Sequence, residues 1–400
     1  MIKKIVVVIT ICFLFVFKVN CSEIDLSSER YILYNMNDSK ILMENKSNEE
    51  TYVASLTKIM TIITAIENID EFDKNVTITS KMIDNIEWDV AVVGYQVGEK
   101  ITYDDLLYGA MLASGADAAN ALAISISGNY DDFIKMMNDR VKKLELKHTH
   151  FSNVTGLFDS NNYSSAQDMA TILKYALKNE KFKKVFETKM YTTSTGKILK
   201  STIKRYNSGN KDINFITGSK TGYIEKAGYC LATTATIDNV DYLLITLNSF
   251  GSHESHIADA IKTYTYFSQN YSYQDIVTKG DVIEYIKTIY AKENNVELKS
   301  DQTISLYLPN TFEKDSLSYN ANIPNELSYF TKNGKIIGDT EIIYNNEIVG
   351  KVNLLYTGGL TFDLLEFVWT LKYIILFFII IVILLIVKKH QNKKKKKSFA

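Results

Sequence analysis

The sequence predicts an α+β domain, then a small β domain, then one membrane-spanning helix. Three observations carry this expectation. Strand-like segments stand at both ends of residues 31–247, with helix-period segments between them. After about Gln269 the pattern changes to short β runs separated by Asn, Asp and Gly. Near the C-terminus, residues 373–387 form an unbroken apolar run, YIILFFIIIVILLIV.

The elements follow in order. Residues 1–4 are a short basic stretch and 5–17 are almost wholly apolar, which reads as a signal peptide ending near Cys21. An uncleaved anchor is the rival, and a lipid-modified Cys21 is disfavoured by Asn20 before it. Residues 31–36 and 40–44 read as a hairpin around Asn37-Asp38-Ser39. Residues 54–69 are helical, with apolar positions at Leu56, Ile59, Met60, Ile63 and Ile66. Residues 103–128 read as two helices broken near Ser114-Gly115, and 130–144 and 165–177 as further helices. Residues 228–236 and 240–247 make a second hairpin across Asp238-Asn239, and a helix over 256–268 packs on that sheet. Beyond it, strand-like pieces fall at 275–291, 304–308, 341–344 and 349–356, with a turn at Asn345-Asn346.

The domain organisation that results is a signal peptide over 1–21, an α+β domain over 22–268 and a β domain over 269–360. A membrane helix over 367–387 and a basic tail over 388–400 complete it. The counted stretch from Phe367 to Val387 is about 21 residues, roughly 30 Å of helix, enough to cross a bilayer. Lys388, Lys389 and Lys393 to Lys397 put that tail inside and the two domains outside the cell. The chain has 400 residues, which favours two domains over one core. Its net charge of −1 gives no global pointer to nucleic acid. Cys230 is the sole cysteine well inside the mature chain, so no disulfide framework is expected, and it reads as a small core hydrophobe.

Candidate chemistry begins at Ser55-Leu56-Thr57-Lys58. A serine and a lysine three apart on a helix share one face. A serine hydroxyl needs a base, and a lysine serves when burial or a neighbouring cation lowers its pKa. The same spacing recurs at Ser194-Lys197, Ser201-Lys204 and Ser208-Lys211, where a solvated lysine is the default. Ser55 stands apart because it opens a strongly apolar helix. Lys220-Thr221-Gly222 then offers a cation, a hydroxyl and room for a close backbone approach, followed by Tyr223. By itself it reads more readily as a turn with an exposed lysine. Ser114-Gly115 at a helix break supplies a hydroxyl able to relay a proton, or is an ordinary turn.

The ordered set Ser55/Lys58, Ser114, Lys220-Thr221-Gly222 is that of penicillin-binding proteins and serine β-lactamases. The flanks extend the match: residues 114–123 (SGADAANALA), Thr149-His150-Phe151, Tyr163-Ser164-Ser165-Ala166 and Ala227-Gly228-Tyr229. Over about residues 29–267 the chain resembles the D-alanyl-D-alanine carboxypeptidases, the low-molecular-weight penicillin-binding proteins of serine peptidase family S11. Residues 300–356 are similar to that family's C-terminal β domain. The resemblance implies a β-lactamase-like catalytic domain, with an antiparallel sheet and helices. It implies removal of the terminal D-alanine from peptidoglycan stem peptides, in cell-wall biogenesis and cell shape, with β-lactams as inhibitors and no cofactor or metal. Ser55 would be the nucleophile, Lys58 its base and Ser114 a shuttle between Lys58 and Lys220. Lys220 and Thr221 would hold the terminal carboxylate, Gly222 would admit the substrate, and the N–H groups of Ser55 and Tyr223 would form the oxyanion hole.

One position departs from the family: the second motif ends in Ala116 where Asn is usual, which removes an amide from the substrate side. A class A β-lactamase needs a Glu-x-x-Leu-Asn segment between Ser114 and Lys220, and none is there. A zinc peptidase is disfavoured because neither His148-Thr149-His150 nor His253-Glu254-Ser255-His256 has the His-Glu-x-x-His spacing. A transpeptidase side activity and a silent wall-binding or β-lactam-sensing ectodomain are the remaining alternatives. Ala116 is the one feature that favours the silent reading.

Overall fold

The computed structural model describes residues 24–397 apart from 85, 208 and 210. The expected signal peptide, Cys21 and the serine of Ser208-Lys211 lie outside the described residues. The chain divides into two compact units, residues 1–269 and 270–400.

In the first unit, β1 (Ser28–Asn35) and β2 (Lys40–Asn45) form the expected hairpin. A 3-10 turn, Ala54–Leu56, leads into α1 (Thr57–Ile66). Then come α2 (Tyr103–Leu112), α3 (Ala116–Ser127), α4 (Tyr130–Lys143), α5 (Ala166–Ala176) and α6 (Glu180–Glu187). Strands β3 (Ile216–Ile224), β4 (Gly228–Ile237) and β5 (Val240–Ser249) precede α7 (Ser255–Asn270). The sheet is antiparallel, ordered β2-β1-β5-β4-β3. The first strand therefore pairs with the last, Ile32 opposite Ile245. In this sheet β3 is an edge, with one side paired to β4 and the other free to meet the 3-10 turn.

Turn chemistry sets several of these boundaries. Asp238 and Asn239 take φ values of 50° and 64°, the left-handed pair that closes a two-residue hairpin between β4 and β5. Ser165 caps α5 by accepting from the Asp168 amide at 3.1 Å, and Asn179 caps α6. Gly128, at φ 84°, ends α3.

The helix α1 is the centre of this unit. All ten of its residues are buried, and α2 to α6 pack around it. A helix enclosed on every side buries its polar residues too, which is why Thr57, Lys58, Thr61 and Thr64 are inside. The expectation of a helix running to residue 69 is shortened, since α1 ends at Ile66. Cys230 on β4 is fully buried, and burial pushes its thiol up to about 12.

The second unit is mostly β. Its strands are β6 (Tyr271–Val277), β7 (Val282–Ile289), β8 (Asn295–Ser300), β9 (Ile304–Pro309), β10 (Ser318–Asn322), β11 (Glu326–Ser328), β12 (Ile336–Tyr344) and β13 (Glu347–Tyr356). Six of them form one sheet in the order β10-β12-β13-β8-β7-β11, and β6 pairs with β9. Two small apolar clusters hold it, one around Ile276, Leu306 and Ile342, the other around Leu298, Leu327 and Leu354. Asn345 and Asn346 are both left-handed and turn β12 into β13.

The C-terminal apolar stretch is two helices, not one from Phe367 onward. The first, α8 (Leu364–Thr370), is capped by Asp363, and the second, α9 (Lys372–Lys397), starts after a break at Leu371. Phe367 belongs to α8 because its ring joins an aromatic cluster of the β domain. Residues 372–390 of α9 are long and apolar enough to cross a membrane, and none of that stretch is buried within the protein.

Candidate active site

Ser55 sits in the 3-10 turn that opens α1, partly exposed between buried Ala54 and Leu56. The turn is tight, and Ala54 adopts φ 46°, a left-handed conformation that non-glycine residues rarely take. It is accommodated from two sides by glycines. A Cβ on Gly156 would lie 1.9 Å from the Ala54 carbonyl oxygen. A Cβ on Gly222 would lie 2.9 Å from the Ser55 amide nitrogen. Gly222 therefore lets the edge strand β3 press against the backbone of Ser55.

Lys58 is one helical turn further on, with 2% of its surface exposed. Its Nζ donates to Ser55 Oγ at 3.0 Å and to the Thr155 carbonyl at 2.6 Å. Burial lowers the Lys58 pKa to about 7, with the Asp117 carboxylate pulling the other way. The Thr155 carbonyl is delivered by a turn built on Asn153, whose Oδ1 accepts from the Gly156 amide at 2.6 Å and the Thr155 amide at 3.1 Å. Thr61 fixes the same turn to α1 by donating to the Val154 carbonyl at 2.8 Å.

Ser114 stands at the break between α2 and α3 with φ 57°. Its Oγ accepts from Lys220 Nζ at 2.8 Å. Its other expected partner, Lys58, directs its hydrogen bonds to Ser55 and Thr155 instead. Lys220 lies on β3 with none of its surface exposed, and also donates to its neighbour Thr221's carbonyl at 2.7 Å. Burial holds the Lys220 pKa well below the ordinary lysine range, and the cations of Lys58 and Arg205 push it the same way. Two buried lysines thus share one neighbourhood, and their repulsion favours a neutral amine on at least one.

Thr221 Oγ1 is 2.6 Å from Thr202 Oγ1, so its hydroxyl is held by a second threonine from a 3-10 turn, Thr202–Lys204. Tyr223 is half-exposed at the end of the strand, its ring 4.5 Å from that of Tyr229. Ala116 is fully buried at the start of α3, with no amide to present. Beside it, Asp117 accepts from the amides of Val93, Gly94 and Tyr95 at 2.8–3.2 Å. That carboxylate fastens the segment before α2 against the second motif, and Ala116 N donates to the Ala91 carbonyl at 2.8 Å.

The competing Ser-x-x-Lys pairs have other duties. Ser194 Oγ donates to Asp105 at 2.5 Å, and Lys197 Nζ donates to the Gly94 carbonyl at 2.6 Å. Ser201 Oγ contacts Ser219 Oγ at 3.3 Å, and Lys204 is exposed. The flanking signature Thr149, Ser164 and Asp168 is a structural knot: Asp168 accepts from Thr149 Oγ1 at 2.7 Å and from the His148 amide at 2.8 Å. His150 bonds the Asn161 carbonyl through Nδ1. Among the described residues no three His, Cys, Asp or Glu side chains are grouped as a metal centre.

Reading the residues alone missed Asp117, the Thr155 carbonyl with its Asn153 turn, Thr202 and Arg205. Asp117 had a signal, lying inside the second motif's own flank. The Thr155 carbonyl had none, because every residue carries one.

Known proteins resemble this chain over both of its units. A family model described as D-alanyl-D-alanine carboxypeptidase matches residues 17–251. A second, described as penicillin-binding protein 5, C-terminal domain, matches residues 271–359. The chain is 28% identical to the D-alanyl-D-alanine carboxypeptidase DacF of Bacillus subtilis (strain 168), over 85% of this chain and 89% of that one. It is 32% identical to DacA of Escherichia coli (strain K12), a D-alanyl-D-alanine carboxypeptidase, over 53% of each. Among solved structures, penicillin-binding protein 5 of Haemophilus influenzae shares the fold, with a TM-score of 0.62, 23% identity, 85% of this chain covered and 99% of that one. The Streptomyces K15 DD-transpeptidase aligns with a TM-score of 0.55 and 30% identity, over 60% of this chain and 97% of that one.

Proposed function

Since the chain belongs to the D-alanyl-D-alanine carboxypeptidase family, we propose that it removes the terminal D-alanine from peptidoglycan stem peptides through an acyl-enzyme on Ser55. The observation that carries the assignment of Ser55 is the buried Lys58 ammonium 3.0 Å from its hydroxyl, with a pKa lowered to about 7.

The chemistry follows from the geometry. A neutral Lys58 takes the Ser55 proton as Oγ attacks the carbonyl between the two D-alanines. The N–H groups of Ser55 and Tyr223 receive the oxyanion, a contribution of roughly 3–4 kcal/mol per donor in other hydrolases. Gly222 sets their separation, because a side chain there would meet the Ser55 amide. Ser114, bonded to Lys220, gives its hydroxyl proton to the departing D-alanine amine and regains one from protonated Lys58, which returns to the neutral base. Lys220 and Thr221 bind the terminal carboxylate, Thr221 with its hydroxyl oriented by Thr202. Water then attacks the ester, Lys58 accepts its proton, and Lys58 returns that proton to Ser55 Oγ as the acyl bond breaks. A β-lactam acylates Ser55 by the same first step.

In this reading residues 22–268 are the catalytic domain and 269–360 the β domain. Residues 1–21 are a signal peptide, and α9 is a single membrane-spanning anchor with the basic tail, 388–400, inside. The support for the anchor is an apolar stretch, residues 372–390, with no residue buried inside the protein, followed by a run of lysines.

The test is D-alanine release from a D-Ala-D-Ala peptide by the full chain and by Ser55→Ala. Release by the first and none by the second supports the proposal, and release by neither sinks it. The likeness to a DD-transpeptidase favours one second reading, in which an amine replaces water as acceptor. Added amino-acid acceptor that diverts product from hydrolysis to a new peptide would establish that activity.

A further inference from the structure

We propose that the base of the β domain lies in the outer interfacial layer of the bilayer, held there by α8 and an aromatic cluster; this rests on the reading of α9 as a membrane anchor. The connection between β13 and α8 contains Gly358 and Gly359, both left-handed, and by sequence it looks like a loose tether. The residues that follow are instead stitched to the β domain. Lys292 N donates to the Thr361 carbonyl at 2.9 Å, and Asp363 N to the Tyr290 carbonyl at 3.1 Å. Thr361 N donates to Glu293 at 2.7 Å, and Phe362 bridges to Ala291 in antiparallel sense.

The helix that begins at this seam has two unlike sides. Phe367 sits among Tyr290, Phe330 and Phe362, with ring centroids 5.2–5.9 Å away. Leu364, Leu365, Val368 and Trp369 point elsewhere and are 61%, 83%, 48% and 69% exposed. Their spacing puts them on one stripe of the helix. Phe330, part of the aromatic cluster, is itself 61% exposed. An exposed apolar surface of this kind marks a docking face.

What covers that face is argued from its continuity with α9. An open apolar groove of about 390 Å³ runs round the α8–α9 elbow, lined by Val368, Trp369, Ile375, Leu376 and others. Lys372 also lines the groove, and apolar residues of both helices flank it. The edge has the composition of a membrane interface. Lys372 Nζ lies 4.0 Å from the Trp369 ring and 5.0 Å from that of Tyr373. Exposed Lys292, Lys332 and Lys335 occur in or next to the segments that hold the seam and Phe330, suited to anionic headgroups. The occupant is therefore the lipid of the outer leaflet.

Depth-dependent fluorescence quenching tests this on the full chain, in vesicles of phosphatidylcholine and phosphatidylglycerol. Trp88 and Trp369 are replaced by Phe, and single reporters are introduced as Phe330→Trp and Ile380→Trp. Spin-labelled lipids carry the quencher either near the headgroup or near the chain ends. The proposal expects Phe330→Trp to lose most of its fluorescence to the shallow label and Ile380→Trp to the deep one. A quenched Ile380→Trp beside an unquenched Phe330→Trp overturns the proposal and leaves the anchor standing. The same holds if Phe330→Trp is blue-shifted yet unquenched, since the face is then covered by protein or by a second copy. If neither reporter is quenched, the anchor reading and the proposal fall together.

Discussion

Lys58 donates to Ser55 across 3.0 Å from a position where almost none of its surface meets solvent. In the proposed reaction that pairing sets the reactivity of the site, and the burial of Lys58 puts a penalty on the stability of the fold.

The reactivity follows the Lys58 proton. Burial brings its pKa to about 7, so the neutral base is depleted below that pH. The rate of acylation by a D-Ala-D-Ala peptide or a β-lactam, measured as kcat/KM against pH, should rise through about 7 and then level. Lys58→Arg cannot lose its proton and should lower acylation about 10²–10⁴-fold across the range.

Asp117 modulates the same titration. Its carboxylate raises the Lys58 pKa against the effect of burial. Asp117→Asn removes that charge and keeps an oxygen for the Val93–Tyr95 amides. The acid limb of the kcat/KM profile should move to lower pH. An unmoved limb would mean that Lys58 is not the group being titrated.

Stability carries the opposite sign. The folded pKa of Lys58, about 7, lies below the ordinary lysine value of 10.5. Between those values the unfolded chain binds a proton that the folded chain does not, so stability rises with pH across that window and the penalty is largest below it. Lys58→Met should flatten this rise in unfolding free energy while abolishing acylation. Lys220, Lys189 and Lys174, shifted in the same direction, contribute to the slope that remains.

The two glycines around Ser55 predict different losses. Gly222→Ala places a methyl 2.9 Å from the Ser55 amide and should reduce acylation about 10²–10³-fold with the fold retained. Gly156→Ala meets the Ala54 carbonyl at 1.9 Å and sits at φ 80°, so the turn itself must give. Its thermal midpoint should fall as well as its rate, and comparing the two variants by melting and by acylation separates the effects.

Much of this was legible in the residues, for identifiable reasons. The helix break at Ser114-Gly115 and the hairpin turns at Asp238-Asn239 and Asn345-Asn346 were readable because few residues tolerate left-handed φ. Strand β10 was not, because SYNAN is polar and mostly exposed, while β8, NVELKS, has only Val296 and Leu298 as alternating apolar positions, too few to stand out. At the site, Lys58 was found through its helical spacing from Ser55. Its second partner, the Thr155 carbonyl, depends on a turn from residues far along the chain. The split of the C-terminal apolar stretch was hidden because hydropathy does not record that Phe367 packs on the β domain.

The most direct test of the central claim is to acylate the full chain with a fluorescent penicillin and identify the modified residue by peptide mapping. The account predicts a single adduct on Ser55 and no labelling of Ser55→Ala. An adduct on any other serine, or a Ser55→Ala chain that still labels, would contradict it.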